Sequence, residues 1–257
     1  MSSRFSLSAE TYDARATVQR HVAQALVQQI PVVPRDLRIL EIGCGTGILT
    51  QLLLARFPDV LVDALDISDR MIEQGRSSLA LEPRVSWIVR DVREYQPALR
   101  YELIVSSSSL HWVRPLEAAF SPLATMLDAQ GKCVLALMVD GTLGELRAAR
   151  LQVASHKRPL SRLPTGAEVR EALLVSGLRI IREEEQEIRE YHRSASEFLR
   201  SIHELGVTGG AVSHGQTLLT RSELQALMRE YDRRFRNGNG SVYSTYRVLF
   251  VIAEKSH

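Results

Sequence analysis

The chain has 257 residues, of which 45% are hydrophobic and 24% charged, with a formal net charge of +2. That length suits one substantial core carrying an insertion better than two independent domains, and the near-neutral charge argues against a general nucleic-acid binder. Two cysteines, Cys44 and Cys133, are too few for a disulfide framework or a metal cluster, so no metal is expected. No apolar run approaches the roughly 20 residues that cross a bilayer, and the start lacks a basic-then-apolar signal, so the expected compartment is the cytoplasm.

Residues 8 to 29 read as a helix, capped by Ser8, with Glu10 in its first turn, Val18, Val22, Ala25 and Leu26 at helical spacing, and Pro31 as its stop. Tyr12 and Gln19 lie within it. Either it packs its tyrosine on the core or it forms a lid over the next feature.

That feature is Leu40-Glu41-Ile42-Gly43-Cys44-Gly45-Thr46-Gly47. The apolar run from Leu37 to Ile42 reads as a buried strand, and the run after Gly47 as a helix. Alternating glycines between them permit a sharp turn and close approach of a ligand to bare backbone. The dinucleotide fingerprint G-x-G-x-x-G does not fit, because the third glycine comes one residue early. Glu41, two residues before Gly43, suits a ligand carrying an amine.

A second strand, Val60 to Asp66, ends in a carboxylate 19 positions after Gly47, near the spacing at which a strand-end acid holds ribose hydroxyls. Met71, in the helix that follows, can lie against an adenine face or belong to the core. The third strand, Val85 to Asp91, ends in another acid, able to accept from the adenine amine or to cap a turn.

The fourth strand, from Tyr101, runs into Ser106-Ser107-Ser108-Ser109-Leu110-His111-Trp112. Small hydroxyls beside the cleft mark where a substrate meets a cofactor. Serine-hydrolase chemistry is set aside, because G-x-S-x-G is missing. A helix from Pro115 to Leu127 and a strand from Gly131 to Val139 continue the alternation, which implies right-handed crossovers and a doubly wound parallel sheet. Helices over Leu143 to Ala154 and Ala167 to Val175, a strand over Leu178 to Tyr191 and a last strand over Ser244 to Ala253 complete the pattern. The last two strands enclose far more chain than a hairpin needs. Residues 193–241, with helices at Ser196 to Leu205 and Arg221 to Phe235 and a flexible link at Gly206, Gly209, Gly210 and Gly215, therefore read as an insertion over the cleft.

The E-x-G-x-G-x-G pattern resembles the first motif of class I S-adenosylmethionine-dependent methyltransferases. Tyr12-Asp13 with Gln19, the serine run ending Leu110-His111-Trp112, Gly141 to Arg147, Phe198-Leu199-Arg200 with Gly206, and Thr245 to Phe250 extend the likeness. Together they resemble the malonyl-acyl-carrier-protein O-methyltransferases of biotin synthesis. In place of the asparagine usual at Ser107 and the glutamine common at His111, this chain carries serine and histidine.

The resemblance implies a mostly parallel seven-stranded Rossmann-like α/β sheet. It divides into a lid segment over residues 1–34, a cofactor domain over 35–192, the insertion over 193–241 and a closing strand within 242–257. It implies S-adenosylmethionine held by Tyr12, Gln19, Glu41, Gly43, Gly45, Gly47, Asp66, Ile67, Met71, Asp91, Val92, Ser106 and Ser107. It also implies methyl transfer to the free carboxylate of a malonyl thioester, on carrier protein or coenzyme A. A carboxylate is already ionised near neutral pH and needs no general base.

Holding the reactants in attack geometry can contribute up to roughly 7 to 11 kcal/mol. Arg200, then Arg147, are the arginines expected to orient the carboxylate; Tyr12 and His111 are expected to close the site and hydrogen-bond the substrate. A basic surface, from Arg147 to Arg162 or at Arg229, Arg233 and Arg234, would dock an acidic carrier. No nucleic-acid or membrane partner is expected, and the chain is expected to be a monomer. Another small-acid or quinone-like acceptor, a non-catalytic cofactor-binding protein and, more distantly, a nicotinamide oxidoreductase stay open as alternatives.

Overall fold

The computed structural model describes residues 12–31, 37–80, 82–157, 162–206 and 218–256. The expected cap at Ser8, Glu10 and the glycines at 209, 210 and 215 lie outside them.

Seven strands form one sheet: β1 (Arg38–Ile42), β2 (Leu61–Asp66), β3 (Val85–Val89), β4 (Tyr101–Ser107), β5 (Leu127–Met138), β6 (Leu178–His192) and β7 (Val242–Lys255). Their order is β3-β2-β1-β4-β5-β7-β6, parallel through β5, with β7 antiparallel to both neighbours. The alternation of strands and helices accounts for the parallel part through β5, and the mostly parallel seven-stranded sheet that the family resemblance implies is the one observed. β1 and β4 are adjacent although β2 and β3 intervene in sequence. The strand order therefore reverses between them, which opens a crevice at their carboxyl ends.

Among the described residues, eight helices flank the sheet: α1 (Thr17–Gln29), α2 (Ile48–Arg56), α3 (Asp69–Ser78), α4 (Glu117–Met126), α5 (Gly144–Val153), α6 (Gly166–Val175), α7 (Ala195–Glu204) and α8 (Arg221–Arg234). Central strands are buried on both faces, so they read as nearly continuous apolar runs. Alternate side chains serve two cores. Ile39, Val134 and Ala136 meet α1, α2, α5, α7 and α8, whereas Leu40, Ile42, Cys133 and Leu135 meet α4 and α6.

The expected helix over residues 8–29 is interrupted. Ala16 leaves helical geometry (φ −79°, ψ 39°), separating a helical turn at 12–15 from α1. A tertiary bond accompanies the break: Thr46 Oγ1 donates to Asp13 Oδ1 at 2.5 Å and ties that turn to the glycine loop. β5 starts four residues earlier than expected, at Leu127 against Gly131, because α4 runs directly into it and Leu127 already pairs with Tyr101.

The edge strand β6 carries the acidic run. Its carboxylates pair with Arg170, Arg189 and Arg247, a charged edge that discourages further strand addition. Between β6 and β7, α7 and α8 pack on each other and α8 on α5. An aromatic column of His192, Phe198, Tyr231 and Phe235 runs through them at ring separations of 5.1 to 5.2 Å.

Two motifs far apart in sequence meet here. Glu145 accepts from the Thr245 N–H (3.1 Å) and hydroxyl (2.5 Å), while the Thr142 hydroxyl accepts from the Arg247 N–H (3.0 Å). The Gly141 to Arg147 stretch thereby clamps the start of α5 onto the last strand.

Candidate active site

A cavity of about 500 Å³ opens at the carboxyl ends of β1, β2 and β4. Its floor is the glycine loop. Gly43, Gly45 and Gly47 all have positive φ (70°, 55° and 88°), a region costly for residues with a Cβ. The Gly43 and Cys44 N–H groups donate to the Leu65 carbonyl (2.7 and 3.1 Å), which pins the loop to the end of β2. A Cβ on Gly43 would lie 1.8 Å from Ser109 Oγ, whereas one on Gly45 would meet nothing within 4 Å. The Gly45 backbone thus faces open space. Gly47 caps α2 over Trp87 and does not line the cavity.

Two carboxylates flank the loop. Asp66 accepts from Gly45 N–H (2.9 Å) on one oxygen and from Ser68 N–H (2.8 Å) on the other, which fixes its rotamer and leaves lone pairs for a diol. Burial raises its pKa, and these backbone bonds oppose the shift. Glu41 is only 1% exposed and accepts from Thr50 Oγ1 at 2.6 Å. Burial pushes its carboxyl up to about 8, the Thr50 bond opposes the shift and the Asp66 charge adds to it. Such a carboxylate gains from a cationic partner, which would supply the counter-charge that water supplies outside.

Tyr12, Gln19, Ile67, Met71, Asp91, Val92 and Ser107 also line the cavity. Burial, then the charges of Asp66 and Asp13, hold the Tyr12 phenol well above its usual pKa, so it stays a hydrogen-bond donor. Asp91 is engaged by Arg93 through both oxygens, and this pairing lowers its pKa. Gln19 Oε1, Ser107 Oγ and Ser108 Oγ are buried without a hydrogen-bond partner. Buried polar atoms are rarely left so, and these three belong to cavity-lining residues. A cofactor carrying an amine, a diol and a polar base fits this wall.

Several expected site residues stand elsewhere. Ser106 is fully buried and donates to the Ile42 carbonyl (2.8 Å), so its hydroxyl joins β4 to β1 instead of lining the cavity. His111 is 2% exposed in a turn of 3₁₀-helix (Leu110–Trp112), and its Nδ1 accepts from Met138 N–H at 3.3 Å. Burial, with Arg114 nearby, brings its pKa down to about 3; it is a neutral ring packed on the end of β5.

Arg147 is exposed to solvent and pairs with Asp140 at 3.3 Å. Arg200 lines a second cavity, away from the glycine loop. Neither contributes to the main cavity wall: Arg147 faces solvent on α5, and the insertion helices pack on α5 and β6, so that none of the insertion's described residues reaches that wall.

What the sequence reading passed over is Arg114. It lines the main cavity beside Ser107 to Leu110, and its guanidinium also donates to the Arg162 carbonyl (3.0 Å). Burial lowers its pKa. The only local signal was its place two residues after Trp112. In the sequence Ser108 is legible only as one of a serine run. Its φ of 54°, rare for a residue with a Cβ, bends the chain there.

Among the described residues no group of three or more His, Cys, Asp and Glu side chains could hold a metal, and no helix is long and apolar enough to cross a membrane.

Residues 39–131 match the model of a family described as a methyltransferase domain. The chain is 32% identical over 251 residues to malonyl-[acyl-carrier protein] O-methyltransferase 1 of Ilyobacter polytropus, covering 98% of this chain and 92% of that one. It is 32% identical over 235 residues to the biotin biosynthesis bifunctional protein of Bordetella avium, covering 90% of this chain and 48% of the longer relative. The fold is similar to that of Haemonchus contortus phosphoethanolamine N-methyltransferase 2, solved with S-adenosylhomocysteine, with a TM-score of 0.57 at 17% identity over 91% of this chain and 52% of that one. With near-full-length relatives, this crevice and these carboxylates, the chain belongs to the malonyl-[acyl-carrier protein] O-methyltransferase family of S-adenosylmethionine-dependent methyltransferases.

Proposed function

We propose that the protein methylates the free carboxylate of malonyl-acyl carrier protein, giving the methyl ester that enters biotin synthesis, with S-adenosylmethionine as donor. One observation carries the geometric side of this reading. A single cavity is lined both by Glu41 and Asp66 and by the serine turn with Arg114, with no histidine or lysine among its described wall residues. An acceptor that must lose a proton would want a free base near neutral pKa beside it, and the one such group in this wall, Glu41, is taken up by the cofactor amine, whereas a malonyl carboxylate arrives ionised.

The chain's own residues then have to bind, orient and exclude water. Glu41 takes the amine of the cofactor, Asp66 the ribose hydroxyls, and the stretch from Asp91 to Val92 with Met71 encloses the adenine. Gln19 and Ser107 satisfy their open valences on the same ligand. When bound, S-adenosylmethionine would supply a methyl group activated by its sulfonium sulfur, and the sulfonium and carboxylate charges would cancel as the methyl–sulfur bond gives way to the methyl–oxygen bond and S-adenosylhomocysteine leaves. A site closed to water favours that neutralisation.

Arg114 orients the carboxylate by a charge-assisted bond. Because it also holds the Arg162 carbonyl, it turns the substrate without pairing tightly enough to blunt the nucleophile. Tyr12, in the same cavity wall, donates a further hydrogen bond. His111 acts through position alone, seating the serine turn on β5.

The test is mass spectrometry of malonyl-acyl carrier protein incubated with the protein and S-adenosylmethionine. The expected result is a gain of one methyl that acetyl-acyl carrier protein does not show. No gain, with cofactor binding verified in the same sample, would transfer the reading to another small acid.

A further inference from the structure

We infer that the second cavity is a phosphate site for the pantetheine arm of the thioester substrate, with Arg200 as its principal ligand. The inference rests on the malonyl-thioester reading and adds where the other end of that substrate is held. The cavity, about 380 Å³, is lined by Arg15, Arg193, Ser194, Ser196, Glu197 and Arg200. Three guanidinium groups therefore face one carboxylate.

The pairing is unequal. Arg15 is held by Glu204 at 2.5 Å and Arg193 by Glu197 at 2.7 Å, whereas Arg200 is exposed and forms no hydrogen bond or ion pair among the described residues. Two arginines held in place around a third that lacks an anion make a built receptor with one vacant charge. Phosphate oxygens suit it, because a guanidinium can bind them with two parallel hydrogen bonds. The start of α7 lies in the same wall. The Ser194 hydroxyl already accepts from the Glu197 N–H (3.3 Å), so its own proton is free to point outward. The positive end of the helix adds a modest attraction for an anion.

Position relative to the main cavity selects the ligand. Tyr12 lines the main cavity and Arg15 lines this one, and both belong to the helical turn at residues 12–15. Residues three apart in a helix are neighbours on one face, about 4.5 Å apart in rise, so the two cavities adjoin along a single turn. A thioester substrate has its carboxylate at one end, and its phosphate at the far end of an extended two-amide arm. With the malonyl group at Arg114, such an arm can pass along the turn bearing Tyr12 and deliver its phosphate to Arg200. The salt bridge from Arg15 to Glu204 ties this turn to α7, so both walls of the receptor are held together.

The experiment compares malonyl-pantetheine, which lacks the phosphate, with malonyl-phosphopantetheine and malonyl-acyl carrier protein on the whole protein, for wild type, Arg200→Ala and Arg200→Lys. In the wild type the phosphate should lower KM about ten-fold, the low end for a partly exposed charge-assisted bond. In Arg200→Ala the ratio of KM values between the two small thioesters should collapse to within about two-fold, and Arg200→Lys should retain part of it.

A ratio of one in the wild type, or a ratio preserved in Arg200→Ala, overturns the inference while leaving the methylation reading intact. A penalty confined to the carrier protein would assign the cluster to the carrier's acidic surface and also overturn it. Absence of turnover on all three thioesters would remove the reading on which it rests, and the inference with it.

Discussion

Replacing Glu41 with glutamine should stabilise the free protein and weaken cofactor binding at the same time. The carboxyl is 1% exposed and its pKa is pushed up to about 8 from an ordinary 4.5, chiefly by burial. A folded pKa above the unfolded one means that the native state holds the proton more tightly. The stabilisation from that proton is fully present below about pH 4.5 and is lost as pH rises through about 8. At pH 7 the native state therefore carries a penalty of about 3 kcal/mol relative to an ionised unfolded side chain, and at pH 5 one below about 1 kcal/mol.

Glutamine is isosteric, keeps an oxygen for the Thr50 hydroxyl and carries no such penalty. Glu41→Gln should then raise Tm by several degrees at pH 7, on the scale of about 2 to 4 °C per kcal/mol, and hardly at all at pH 5. The same change removes a charge-assisted bond to the cofactor amine. Affinity for S-adenosylhomocysteine should fall about ten- to hundred-fold. In the wild type, binding below about pH 8 should release a proton, visible as a dependence of the calorimetric enthalpy on buffer ionisation. Thermal melts at the two pH values, with calorimetric titration, read both effects. An equal Tm change at pH 5 and pH 7, or unchanged cofactor affinity, would refute the assignment of a buried, strained carboxylate to the amine.

Asp66→Ala should weaken S-adenosylhomocysteine binding by about ten-fold or more and free the Gly45 and Ser68 amides it now holds; unchanged affinity in calorimetry would remove the ribose assignment. Arg114→Ala should raise KM for malonyl-acyl carrier protein about ten-fold or more while sparing cofactor affinity, and steady-state kinetics with normal KM would discard it as the carboxylate-orienting group. Glu145→Ala should cost about 1 to 3 kcal/mol in chemical denaturation, since the Thr245 amide and hydroxyl lose their acceptor; a loss within experimental error would show that the clamp between α5 and β7 contributes nothing net.

Much of the fold was written in local pattern. The run from Leu40 to Gly47, the carboxylates closing β2 and the segment after β3, and the alternation of strands with helices identify a doubly wound sheet and its crevice. These signals lie within one or two turns of chain, where periodicity and glycine placement express themselves directly. Glu41 and Asp66 were legible for the same reason, because each is fixed by spacing from the glycine loop. Met71 was legible from the helix that follows β2, and Gln19 once the family motifs were read together; both line the cavity.

What only the tertiary structure decided is where long side chains point and what they meet. His111 follows the serine turn in sequence, but the edge of β5 captures its ring, since a Met138 amide there needs an acceptor. Arg147 and Arg200 lie on helices whose apolar faces pack on β7 and on the aromatic column, and that packing directs both guanidinium groups away from the crevice. Arg114 reaches the cavity because the turn after β4 carries it there, which no periodicity encodes.

The sequence by itself thus determined the sheet, the glycine loop and the two carboxylates beside it, through bonds and spacings that act over a few residues. The place of Arg114 in the main cavity wall, the break at Ala16 and the second cavity were decided by contacts between segments distant in the chain. Their free energy depends on packing and on charge partners brought together only by folding.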